Sequence, residues 1–173
     1  MSIGKAMQEA REEHGMTQEQ LALDFNLSKQ MVSHIECDRR KMPKDVMPKA
    51  VETLDCGFLS METAAEVTGG AWVGKLNGDN VDLHRSSVKA KAMEELKEAM
   101  FALENTCLVN HPSSIDHTHR EDLKRMLFEC IDVIVCLSHL VAVVCKEYGI
   151  SWFKIWKDHK LKLVAKKYLK FIK

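Results

Sequence analysis

Between Met126 and Cys145 the chain runs MLFECIDVIVCLSHLVAVVC, twenty residues in which Glu129, Asp132 and His139 are the only ionisable side chains besides thiols. Such a run suits two environments, the hydrocarbon of a membrane or the core of a helical bundle. An acidic residue near the centre of a span costs about 2.5–3.5 kcal/mol on insertion scales. We therefore read a bundle helix buried on nearly all sides, with no membrane partner. A length of 173 residues, 25 Lys+Arg against 25 Asp+Glu and 46% apolar content provide for one good core or two small ones. They exclude a wholly disordered chain and a uniformly basic nucleic-acid coat. The opening Met1-Ser2-Ile3-Gly4-Lys5-Ala6 lacks the apolar stretch of a secretory signal, and six cysteines show no C-x-x-C pair or regular spacing. The expectation is a cytoplasmic protein with reduced thiols.

Charge divides the chain. Residues 1–70 carry 8 basic and 12 acidic residues, net −4, which leaves +4 for the remainder. Composition changes at Gly69-Gly70, and the following stretch to Arg85 is rich in glycine with Asn77-Gly78-Asp79-Asn80, as in a turn or linker. Two domains are expected, residues 1–68 and 86–173, joined by a linker at 69–85.

In the first domain, Ile3, Met7 and Ala10 share a helical stripe that ends at His14-Gly15. Thr17 and Gln20 form a T-x-x-Q capping box that opens a second helix over Gln18 to about Phe25. A tight turn at Asn26-Leu27 leads to Ser28, a further N-cap, and Met31, Val32 and Ile35 give the buried face of a third helix. A fourth helix through Leu54 and a fifth over Phe58 to Val67 complete the domain. Short helices separated by a four-residue turn make a helix-turn-helix.

The runs Thr17-Gln18-Glu19-Gln20-Leu21-Ala22, Asn26-Leu27-Ser28, Val32-Ser33-His34-Ile35-Glu36 and Arg39-Arg40 resemble the Xre family of phage-repressor-like DNA-binding domains over about residues 3–67. The resemblance implies that the third helix enters the major groove. Gln18 would then contact a phosphate, and Ser28, Lys29, Gln30, Ser33 and His34 would face double-stranded DNA. Gln30 is the expected base reader, since its amide pairs both ways with adenine N6 and N7. Arg39, Arg40 and Lys41 would hold the backbone. The competing reading is a small helical domain used for protein contacts, which the net charge of −4 keeps open, although Lys29, Arg39, Arg40, Lys41 and Lys44 cluster around the third helix.

The second domain opens with a helix of about 19 residues ending near Thr106, with Val88, Ala92, Leu96, Ala99 and Leu103 on one face. It carries Glu94, Glu95 and Glu98 on adjoining faces, and the apolar helix carries Glu129 and Asp132 three apart. Buried carboxylates need a partner or a metal, and hard cations such as Mg²⁺ take oxygen ligands. Glu94-Glu95-x-x-Glu98 followed by Glu129-x-x-Asp132 resembles the MazG-like all-alpha nucleoside triphosphate pyrophosphatases over about residues 84–170. That resemblance implies a Mg²⁺ site on those five acids, a bound nucleotide, and dimers or tetramers. No residue identifies a catalytic base, and for the first three acids a solvated helix face is the plain alternative.

The loose set Cys107, His111, His117 and His119 lacks the spacing of a zinc site, and a polar loop is the plainer reading. The tail from Ser151 interleaves eight lysines with apolar residues. Such a tail suits a terminal bundle helix, a membrane surface, DNA or an anionic substrate, and the choice stays open. The fold expected is all-α, a repressor-like helix-turn-helix followed by a MazG-like bundle. The function expected is a sequence-specific transcriptional regulator that dimerises through the second domain and senses a nucleotide. The alternative is a Mg²⁺-dependent nucleoside triphosphate pyrophosphohydrolase with a regulatory helix-turn-helix; in a third reading the second domain serves assembly alone.

Overall fold

The computed structural model describes residues 1–170, and it is all-helical, with no strand among the described residues. The helices are α1 (Ile3–Glu13), α2 (Gln18–Phe25), α3 (Lys29–Glu36), α4 (Val46–Leu54), α5 (Gly57–Val67), α6 (Arg85–Asn105), α7 (His117–Tyr148) and α8 (Trp152–Ala165). The chain divides into two compact units. One comprises Met1–Val81 together with the segment from Val144 onward, and the other comprises Asp82–Val143.

In the first unit, local chemistry sets the helix ends. The Ser2 hydroxyl accepts from the Lys5 amide, and both halves of the Thr17–Gln20 capping box are formed. Asn26 ends α2 in the left-handed region at φ 56°, and the Ser28 hydroxyl accepts from the Met31 amide to start α3. Met7, Leu21, Val32, Ile35, Leu54 and Leu59 fill the centre of the core. α1 crosses α3 at Gly4, where a Cβ would lie 1.9 Å from the Ile35 carbonyl oxygen, so the close approach of the two backbones requires glycine.

The end of α7 and the whole of α8 also pack on this unit, whereas composition suggested one domain over 86–173. Asp55, in the left-handed region at the end of α4, accepts from the Phe153 amide at 2.6 Å. Lys146 pairs with Glu13, Lys157 lies 3.8 Å from Glu52, and Trp152 is buried. Charge and glycine content locate a turn; these distant pairings decide which core a helix joins.

The second unit is an antiparallel pairing of α6 with the first part of α7, Glu95 lying beside Glu129 and Asp132. Val88, Ala92 and Ala99 form the buried stripe of α6, while Leu103, expected on that face, is exposed. The apolar helix departs from expectation. Met126, Ala142 and Val143 are buried, but Leu127, Phe128, Ile131 and Ile134 are exposed. Burial on nearly all sides needs helices on all sides, and a two-helix unit supplies one neighbour. By length and composition alone α7 is long and apolar enough to cross a membrane.

Candidate nucleic-acid interface and acidic cluster

α3 presents its N-terminal turn to solvent. Ser28, Lys29 and Gln30 are exposed, Ser33 and His34 are partly exposed, and Arg39 and Arg40 follow on the exposed turn after the helix. Asp38, at φ 55°, turns the chain there. Gln30 has no hydrogen-bond partner among the described residues, so both its carbonyl and its NH₂ are available. The Lys29 ammonium lies 2.7 Å from Glu19, whose carboxyl it holds below the usual range by hydrogen bonding. Lys41 is likewise paired with Glu66 at 2.7 Å.

The expected phosphate contact Gln18 turns inward. Its amide donates to Glu36 at 2.8 Å, which leaves one N–H for another acceptor. Glu36 is buried at the end of α3 and receives the Arg11 guanidinium in fork geometry, at 2.6 and 3.0 Å. Arg11 also donates to the Met16 carbonyl at 2.8 Å, and its pKa is raised chiefly by the Glu36 hydrogen bond. The network ties the end of α1 and the start of α2 to the end of α3, and so sets the angle of α3. Its members lie 18 and 25 residues from Glu36 in sequence, beyond the reach of any local pattern.

In the second unit Glu95, Glu129 and Asp132 bring carboxylate oxygens within 4.8 Å of one another. Glu95 is buried, but Glu129 is half-buried and Asp132 exposed. The two carboxylates of α7 are thus not enclosed as expected, because the helix itself is open to solvent. Glu94 and Glu98 are exposed and stand outside the trio, although Glu98 and Glu129 line one shallow groove. The Lys91 ammonium lies 2.7 Å from Glu95 and 3.1 Å from Glu94, and these hydrogen bonds, Glu95 first, raise its pKa. Three oxygen donors suit a hard divalent cation, but Lys91 already offers one of them, Glu95, a positive charge. Cys107, His111, His117 and His119 gather no set of three ligands among the described residues.

Residues 7–69 match the family model described as helix-turn-helix, of the Xre-like kind. Comparison with curated proteins and with solved structures gives no match. The match covers α2 and α3 with their turn and all but the start of α1, so the N-terminal helices form a helix-turn-helix domain, which suggests a DNA-binding regulator.

Proposed function

We propose that this chain is a sequence-specific, cytoplasmic transcriptional regulator that binds double-stranded DNA as a homodimer. The observation that carries the reading is the free amide of Gln30 on a helix whose angle is locked by the buried Arg11–Glu36–Gln18 network, within the matched segment. With α3 in the major groove, Gln30 reads adenine by paired hydrogen bonds. Ser33 and His34 follow on the same helix, Ser28 and the remaining Gln18 N–H sit at the helix starts, and Arg39 and Arg40 meet the backbone. Lys29 exchanges Glu19 for a phosphate, an inexpensive exchange because the pair is exposed and worth little. A dimer places two such helices on half-sites about 34 Å apart.

On operator DNA, Gln30→Ala weakens binding by about 1–3 kcal/mol while leaving affinity for random sequence in place. Arg40→Ala weakens both alike and reduces the salt slope by about 1. Gel-shift titrations at several salt concentrations measure both. Retained operator preference in Gln30→Ala contradicts the assignment of the reader.

The juxtaposed carboxylates of Glu95, Glu129 and Asp132 favour a second reading, a MazG-like domain that binds Mg²⁺ and a nucleotide. Bound there, the cation would neutralise phosphate oxygens. Glu94 and Glu98 stand nearby as acids that shape the field, and Lys91 must yield its hold on Glu95. Melting curves of wild type and Asp132→Asn decide it: the reading expects Mg²⁺ to raise the midpoint of the wild type alone. Equal responses in both proteins remove the metal site and the hydrolase with it.

A further inference from the structure

The helix-turn-helix segment is acidic, which is unfavourable for a protein that must meet phosphates. Met1–Val81 carries thirteen acidic and nine basic residues, net −4. The structure adds to that same compact unit the segment from Val144 onward, which carries nine lysines against two acids, net +7. The unit as a whole is therefore net +3.

Much of the added charge is unpaired among the described residues, as Arg39, Arg40, Lys44 and Lys49 are in the N-terminal part. Lys29, Lys41 and Lys75 of the N-terminal part each sit in an ion pair, with Glu19, Glu66 and Glu9. On α8 and just beyond it, Lys154, Lys160, Lys162, Lys166 and Lys167 are exposed and form no ion pair among the described residues. The helix that bears them is held firmly. Ser151 caps it, Asp55 accepts from the Phe153 amide, Trp152 is buried, and the Lys157 ammonium lies 4.2 Å from the centre of the Phe153 ring. At about 100° per residue, Lys154, Lys162 and Lys166 fall within about 120° of one another around the helix axis, so one polyanion can meet all three, whereas Lys160 and Lys167 point to the other side.

The choice among anionic partners follows from the exposed apolar residues of α8. A helix that lies in a lipid surface needs one continuous apolar face. Ile155, Trp156 and Leu161 are exposed, but at about 100° per residue they point in three separate directions around the helix. A lipid surface finds no face to admit it, whereas a duplex presents one charge per ~1.7 Å of axis and asks only for cations.

We propose that α8 is a second, sequence-independent DNA contact, whose exposed lysines hold phosphates of the duplex that α3 reads. The inference rests on the DNA-binding reading above for its partner.

The test uses the full chain with Lys154→Gln, Lys162→Gln and Lys166→Gln combined, and a companion with Arg at the same three positions. Binding to operator and to random duplex is measured across a salt series, with binding to vesicles of anionic lipid alongside. The Gln variant is expected to lose affinity for both duplexes by the same factor and to flatten the salt slope by roughly 3, about 0.9 per phosphate contact. The Arg variant keeps the slope, which separates charge from any effect on folding. An unchanged slope in the Gln variant with operator preference intact overturns the α8 contact and leaves the α3 reading standing. A flattened slope in a protein without sequence preference supports α8 and removes the α3 reading. Loss of vesicle binding with an unchanged DNA slope assigns the lysines to lipid and overturns the proposal.

Discussion

Glu36→Ala lowers the stability of the N-terminal unit by about 3–5 kcal/mol, the usual cost of removing one member of a buried ion pair. The carboxylate is 4% exposed and accepts three hydrogen bonds, two from Arg11 and one from Gln18. Its loss strands the Arg11 guanidinium, itself 8% exposed, against an apolar core with only Met16 and Glu12 as partners. Against a total of about 5–15 kcal/mol for an ordinary domain, this is a large fraction. Arg11→Met with Glu36→Leu removes both charges and is expected to recover most of the loss, because no ion is then left without its partner. Urea titration of the three variants measures the effect, and a loss below about 1 kcal/mol in Glu36→Ala contradicts the assigned role.

Ile131→Asp is expected to convert the protein to monomer. Leu127, Ile131 and Ile134 recur at helical spacing on α7, with Phe128 beside them, and all four are exposed in a single chain. A second copy covering this face buries each side chain twice, since the contact of a two-fold dimer is the same patch on both partners. Loss of about 1.5–3 kcal/mol per Ile, doubled by symmetry, raises the dissociation constant by at least a hundredfold before the cost of burying Asp. Sedimentation velocity across a concentration series reads this directly. A wild-type chain that stays monomeric at high concentration removes the dimer.

What was readable in the amino-acid order is what local chemistry decides. Thr17 and Ser28 each accept a hydrogen bond from an amide three residues on, so the starts of α2 and α3 follow from neighbours. Asn26 adopts the left-handed turn between them, and the all-α class follows from the same periodicity. The Arg11–Glu36–Gln18 network was not readable, because its parts meet only once three helices have packed. The same holds for Asp55, which receives α8 across 98 positions of chain. Apolarity misled about α7: it records that a surface avoids water, not how many neighbours are present to cover it. The expected burial of Glu129 and Asp132 inherited that error, and Lys91 pairs with Glu95, four residues along one helix, within the set of five acids expected to share one site.

The central claim is that α3 reads sequence. Selection of bound duplexes from a randomised pool by the full chain, followed by affinity measurements on the selected and shuffled sequences, addresses it directly. The account predicts enrichment of a two-fold-related pair of half-sites about one helical turn apart, bound at least about a thousandfold more tightly than the shuffled duplex at the same salt. A pool that emerges unenriched, with equal affinity for selected and shuffled DNA, contradicts it.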